Sequence, residues 1–345
     1  MKRRAVPQAM MALAMLAAGL LVPPPAVGRT VVSGPIATSA TWNVENSPYV
    51  LSGDVVVAPG SGITIERYVT VTLRPGSRFI IAGRLDAERV FFKGALAAVD
   101  GESLVYQPGA TGSLERCAFL DLGLVFESSA IRLTSGVVAN RNGTGVTVAR
   151  EAFPLIAHTS FHDNSYFAVY RHGPDPLEVI DCYWGAANGP SGQGDGNGDP
   201  VSANVRYQPF SAFECVDSLT LATRRVEIEG DSGGRRLHLT YGIYNLNGFS
   251  QAVVLGASLR GAGGQAVHHP ESDIRAVIPP GFHLYTRLFE LPPGLDDGRY
   301  DLHWGVMGSG MHAYHAYIRQ NEVVDIQNGH LRSVRALPAS PGIDG

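Results

Sequence analysis

Residues 177–210 read LEVIDCYWGAANGPSGQGDGNGDPVSANVRYQPF. An aromatic pair, Tyr183 and Trp184, runs into Gly185, and Asn188-Gly189-Pro190 follows as a turn signal. A glycine–aspartate loop then leads into a short strand at 202–207, closed by Gln208-Pro209-Phe210. Toward the N-terminus the same kind of unit recurs. Phe161 precedes Trp184 by 23 residues, Phe119 precedes Phe161 by 42, or two units, and Asn142 and Asn164 lie 22 apart. Earlier still come short apolar runs at 53–57, 63–65, 69–73, 79–81 and 83–85. Each is too short for a helix, and several alternate as strands do. A period near 22 with strands of this length is what a parallel solenoid requires, its coils stacked about 4.8 Å apart. Phe119, Phe161 and Trp184 are expected to stack inside, with Ala139 in the intervening place. Asn142 and Asn164 are expected at tight bends that favour left-handed backbone. The segment 177–210 would be the last coil, shielding an edge otherwise open to strand addition.

The order WG, GP, GD, VS, NV and P-x-F across 177–210 resembles the ending of many secreted right-handed parallel β-helices. Residues 60–87, GSGITIERYVTVTLRPGSRFIIAGRLDA, resemble their opening coils, with Arg67-Tyr68 where Pro-Gly is usual. This resemblance to the pectate-lyase-like fold implies a right-handed parallel β-helix of about seven coils over 41–210. A linker, 211–217, follows. Strict alternation at 236–243 and 300–306, the latter preceded by Asp296-Asp297-Gly298, then predicts antiparallel strands. VVLGASLRG (253–261) and LPPGLDDGRYDLHWGV (291–306) resemble Ig-like modules of secreted bacterial proteins, which implies an Ig-like β-sandwich over 218–327. The expected class is all-β, with 29–40 a mobile N-terminus and 328–345 a disordered tail.

With 345 residues, 41 of them Gly and 22 Pro, the chain has room for two turn-rich domains. Residues 1–28 read as a secretory signal peptide: Lys2-Arg3-Arg4, an apolar run at 9–22, prolines 23–25, then Ala26-Val27-Gly28. That run is short for a bilayer and no second one exists, so no membrane span is expected in the mature chain. The expected location is extracellular or periplasmic. The formal net charge of −4 becomes about −7 without Lys2, Arg3 and Arg4, and Lys93 remains the only lysine. A nucleic-acid partner, which needs clustered Lys and Arg, is excluded on this ground. Cys117, Thr159 and Cys182 align at equivalent coil positions. Cys117 and Cys182 would then stand three coils apart, roughly 14 Å, beyond the ~7 Å Cα limit of a disulfide. Cys182 with Cys215 is the one pair left to consider, and buried free thiols are the expectation.

Three groups of residues could carry chemistry. Asp195, Asn197 and Asp199 alternate with glycine in GDGNGDP, as oxygen ligands do in a loop that holds Ca²⁺; a solvated turn would carry the same residues. His158, His162, Asp163, Arg171, His172 and Asp175 fall within two adjacent coils. In the lyases and hydrolases of the resembled fold, Asp163 and Asp175 would supply carboxylates, and Arg171 with His172 would neutralise a uronate. No second carboxylate pairs with either Asp at one-coil spacing. The histidines His238, His268, His269, His283, His303, His312 and His315 lie in the C-terminal domain. His312 and His315 are three apart, which diverges on a strand, and His238 and His303 fall on the polar phase of theirs. No G-x-S-x-G elbow, H-E-x-x-H, phosphate loop or dinucleotide fingerprint occurs. The leading expectation is a secreted, non-catalytic β-helix that binds a polysaccharide or a cell-surface component. The alternative is a polysaccharide lyase or glycoside hydrolase of the pectate-lyase-like fold.

Overall fold

The computed structural model describes residues 29–95, 103–215, 219–228, 234–245, 250–264, 266–308 and 314–334. Among them there is no α-helix, only strands and two single 3₁₀ turns, and no helix is long and apolar enough to cross a membrane. The first unit is a parallel β-solenoid of about seven turns, followed by two antiparallel sheets.

Three ladders of parallel strands wall the solenoid. The first contains Ala40–Trp42, Gly62–Ile65, Arg84–Glu88, Thr111–Glu115, Ile131–Thr134, Leu155–Ala157, Leu177–Ile180 and Val205–Arg206. The long strand Tyr49–Val57 opens both of the others: its first half pairs with Thr70–Leu73, its second with Arg78–Ile81. The second ladder runs on through Phe91–Lys93, Ala118–Leu120, Val137–Ala139 and Ser160–Phe161. The third runs through Ser103–Tyr106, Gly123–Phe126, Val146–Val148 and Val169–Arg171. Because side chains alternate across each strand, every ladder has one column pointing in and others pointing out.

The inward column of the second ladder is Tyr49, Val71, Phe92, Phe119, Val138 and Phe161 in successive registers. Trp184 completes it, since its neighbour Tyr183 bridges Ser160. Phe92 stacks on Phe119 at 5.0 Å and Phe161 on Trp184 at 5.0 Å. The expected aromatic stack therefore exists, with one correction. Val138, not Ala139, fills the rung between Phe119 and Phe161; Ala139 points outward. The bends differ too. Asn142 and Asn164 are not left-handed; those conformations fall on Asp121 and Asp163, two residues beyond Phe119 and Phe161. Asn164 is instead buried and works through its amide. Its Oδ1 accepts the Asn140 N–H at 2.8 Å, and its Nδ2 donates to the Val138 carbonyl at 3.1 Å.

A second left-handed column turns each coil from the first ladder into the second: Arg89, Arg116, Ser135, His158 and Asp181. The residues after the last four, Cys117, Gly136, Thr159 and Cys182, occupy successive rungs. Cys117 and Cys182 thus lie three coils apart, as the alignment requires, and all three cysteines are free. Burial pushes the Cys117 and Cys182 thiols up to about 12. Cys215 is only partly buried, its thiol donating to the Asp181 carbonyl at 3.2 Å. Since the thiolate is the nucleophile, iodoacetamide at pH 8 should label Cys215 first and leave Cys117 and Cys182 intact until the protein unfolds. Peptide mapping by mass spectrometry would show it; early label on Cys117 would contradict the buried placement.

Both ends of the solenoid depart from expectation. Among the described residues the first strand is Thr30–Ile36, ahead of Thr41: it pairs in parallel with Tyr49–Val57, its Val32 and Ile36 packing on the core. Residues 29–40 are therefore built into the fold, because alternate side chains of that strand reach apolar neighbours. At the other end, residues 211–215 stay bonded to the last coil, with Ser211 N–H on the Cys182 carbonyl and Cys215 N–H on Ser160 Oγ. The antiparallel unit packs Leu219–Ile228, Arg236–Asn245 and Gly281–Glu290 against a second sheet built on Gln251–Gly261, Gly298–Gly308 and Tyr314–Gln327. Tyr241 meets Trp304 edge-on at 5.1 Å between them. The chain does not end in a tail at 328. His330–Val334 forms a further strand because Leu331 is buried in the same core; residues 335–345 lie outside the described set.

The two units touch. Tyr244 is fully buried against the outward side of the second ladder, among Tyr68, Phe91, Ala118, Leu120, Val137 and Ala139. Its ring lies 5.9 Å from Tyr68 and 6.2 Å from Phe91, edge-on to both. Removing it empties the centre of this apolar contact between the units, so Tyr244→Ala is expected to cost about 3 kcal/mol. Calorimetry should then resolve one unfolding transition into two. A single, unshifted transition would show that the contact does not couple the units.

Candidate functional site

The glycine–aspartate loop explains itself by packing. A Cβ on Gly194, Gly196 or Gly198 would collide with the backbone carbonyls of Pro190, Gly189 and Trp184 in turn. Only glycine lets this strand lie on the preceding turn, so the intervening residues are sorted by side. Asp195 and Asn197 are exposed, the Asn197 N–H reaching Asn188 Oδ1 at 3.0 Å. Asp199 turns inward, where its Oδ2 accepts the Asn164 N–H at 2.9 Å and Nδ2 at 2.7 Å. The three candidate ligands are thus divided between two sides of the loop. Among the described residues no group of three or more His, Cys, Asp or Glu side chains is placed to hold a metal ion.

The second group of candidates is also divided. His158 sits in the left-handed corner column, exposed. Arg171 points into the third ladder's interior and is 3% exposed. Its guanidinium donates to the carbonyls of Ala149, Arg150 (2.6 Å), Ala152 (2.6 Å) and Asp175 (3.3 Å), and lies 4.5 Å beneath the Phe153 ring. Those carbonyls belong to turns that no ladder satisfies, and a planar fork of five donors answers them. Asp175 is exposed, and only its backbone carbonyl meets Arg171. His162, Asp163 and Asp199 do come together at the corner beyond the second ladder. His162 Nδ1 is 3.4 Å from Asp163 Oδ2. Burial lifts the Asp199 carboxyl above the usual carboxylate range, and Asp163 pushes the same way against Asn164 and His162. Nearby, Arg141 holds Asp121 with two bonds, 2.8 and 2.6 Å.

Among the C-terminal histidines, His268 Nε2 is 3.8 Å from Asp273 Oδ2, and Asp273 is in turn 3.1 Å from Arg287. His269 bonds Glu271, and His303 faces the Tyr317 hydroxyl. His238 and His303 are half-exposed on the outward phase of their strands. His312 and the side chain of His315 lie outside the described residues.

What pattern reading missed is the difference between the solenoid's outer faces. The second ladder's is covered by Tyr244 and its neighbours. The first carries mixed charge, Asp86, Ser113 and Arg132 following one another in register. The third carries a largely apolar column, interrupted by one hydroxyl: Val56, Ile80, Val105, Val125, Thr147 and Tyr170, each directly above the last. At about 4.8 Å per rung this strip is roughly 24 Å long. It ends in rings, with Phe167 5.2 Å and His172 4.8 Å from Tyr170. Tyr166 beside them is 68% exposed. The signal in the sequence is the middle residue of each third-ladder strand, readable only once the strands are assigned to ladders.

No family model matches the chain, and no protein of curated function does. Among solved structures it is similar to a protein assigned as a β-galactosidase from Bacteroides fragilis, at 19% identity and a TM-score of 0.23, over 30% of this chain and 15% of that one. It is also similar to the cell-surface-expressed, multi-modular chitinase ChiW from a Paenibacillus species, at 12% identity and a TM-score of 0.18, over 85% of this chain and 23% of that one. The chain spans less than a quarter of either neighbour. Likenesses this weak carry no argument about chemistry.

Proposed function

We propose that this is an exported, non-catalytic protein that binds a polysaccharide or a glycan-bearing cell surface. Its first unit takes the right-handed, pectate-lyase-like winding and its second the Ig-like form that the sequence resemblances imply. The observation that carries the reading is the third ladder's outer face, a straight strip of side chains at fixed spacing, half-buried except for the buried Ile80, that ends in Tyr166, Phe167, Tyr170 and His172. Aromatic rings with a polar edge suit a ligand with apolar faces and many hydroxyls. Stacked coils also present a rigid array to an extended polymer, with little to order on binding. The commitment of Arg171 to four backbone carbonyls supports the non-catalytic form, since it removes the cation that a uronate elimination would use.

A second reading, a glycoside hydrolase, draws on one observation. Asp199 with its raised pKa stands near the exposed Asp163, and two carboxyls in unlike environments are the ordinary acid–base arrangement. Residues 29–345 incubated with acidic and neutral polysaccharides separate the two. Co-sedimentation with insoluble polymer and no new chain ends is the expected result. New ends that vanish in Asp163→Asn and Asp199→Asn would install the hydrolase, and neither binding nor new ends would remove both.

A further inference from the structure

Charge on the third ladder's outer face narrows the ligand. Beside the apolar column run two outward rows. One is Asp54, Arg78, Ser103 and Gly123, in which Asp54 and Arg78 pair with each other. The other is Ala58, Ala82, Gln107, Glu127, Ala149 and His172, aligned by the hydrogen bonds that continue the ladder. Among the described residues of these rows, once the ion pair is discounted, Glu127 is the one carboxylate and no lysine or arginine remains. The chain as a whole is acidic, with 31 Asp and Glu against 27 Lys and Arg. A polyuronate laid along these rows would find no unpaired lysine or arginine among their described residues and would meet the repulsive field of an acidic chain. An uncharged chain would meet neither penalty, and its apolar sugar faces would cover Val105, Val125 and the Tyr170 ring.

Resting on the glycan-binding reading above, we infer that the third ladder's face takes a neutral polysaccharide, extended along the solenoid axis from Val56 to Tyr170. The contact is made by apolar stacking and by hydroxyl bonds to the rim, with no ionic component. Binding should therefore be nearly independent of salt.

Affinity electrophoresis of residues 29–345 tests this, in gels containing hydroxyethylcellulose, polygalacturonate or no polymer, each at low and high salt. The expected result is retardation by hydroxyethylcellulose alone, equal at both salts. Tyr170→Ala should weaken it about tenfold, as loss of a principal aromatic contact does. Val125→Asp, which places a charge mid-strip on a half-exposed outward position, should weaken it at least as much. Both variants are to be checked for an unchanged melting temperature; a neutral Val125→Thr serves if Val125→Asp melts early, with a smaller loss expected. Retardation by polygalacturonate that salt abolishes would overturn this inference and leave the glycan-binding reading standing. Retardation by hydroxyethylcellulose that neither variant changes would overturn the assignment to this face. No retardation in any gel would count against both.

Discussion

Replacing Phe161 by alanine is expected to lower the unfolding free energy by about 3–5 kcal/mol. The ring is fully buried, stands one rung from Val138, and stacks on Trp184 at 5.0 Å with planes 13° apart. Three losses combine. The transfer term of the ring goes first, then the cavity left between two coils whose backbones are tied to each other by ladder hydrogen bonds and cannot collapse. The third is the stacked pair itself, worth about 0.5–1.5 kcal/mol beyond area. The cost should also be local. In a solenoid each coil contacts only its neighbours, so damage here weakens the last coils before the first. Urea unfolding followed by far-UV circular dichroism gives the total, and hydrogen exchange gives its place. A loss under about 1 kcal/mol would mean that the ring is not part of the stack. Early exchange at Val55 and Phe79, with protection kept near Val179, would contradict nearest-neighbour behaviour.

The second large effect is expected at Arg171, and lysine should not rescue it. A buried guanidinium that meets four carbonyl oxygens holds the turns around 149–152 and 175 to the third ladder. Lysine offers three donors from a single point and cannot reach oxygens arranged about a plane, and it forfeits the stacking on Phe153. Unmet carbonyls cost about 1–3 kcal/mol each where water cannot replace the donor. Partial solvation of an exposed turn reduces that sum, and a net loss of about 3 kcal/mol is expected for both Arg171→Lys and Arg171→Met. The measurement is again the unfolding midpoint, set beside glycan binding at a temperature where the variants remain folded. If the arginine were a binding or catalytic group, its variants would keep stability and lose function. The expected pattern is the reverse: stability falls, and binding survives below the melting temperature.

Much of the solenoid was legible in the chain because its rules are local. An inward position must be apolar on every coil, so Phe119, Phe161 and Trp184 recur at intervals that any reader can count. The strands near 55, 64, 72 and 80 are too short for anything else. The register error at Ala139 shows the limit of this reading. Three consecutive apolar residues, Val137, Val138 and Ala139, all end buried, so alternation gives no phase. They are buried for different reasons: Val138 by the solenoid's interior, the others by Tyr244 of the second unit. A face covered by a distant part of the chain looks like a core in sequence.

The candidate site was harder to read for a related reason. Arg171, His172, Asp175 and Asp163 are close in sequence and polar, which suggests one outward cluster. On a strand, however, neighbours point to opposite sides, so Arg171 enters the wall while His172 joins the rings outside. Asp199 parts from Asp195 and Asn197 for another reason: its carboxylate is taken by Asn164, a residue 35 positions earlier. The sequence by itself determined the all-β class, the parallel repeat and the inward aromatic column, because each depends on periodicity or turn chemistry within a few residues. Only the tertiary structure decided which outer face Tyr244 covers, that Arg171 is internal, and that Thr30–Ile36 joins the solenoid. These depend on contacts between residues tens to nearly two hundred positions apart, which no local pattern encodes.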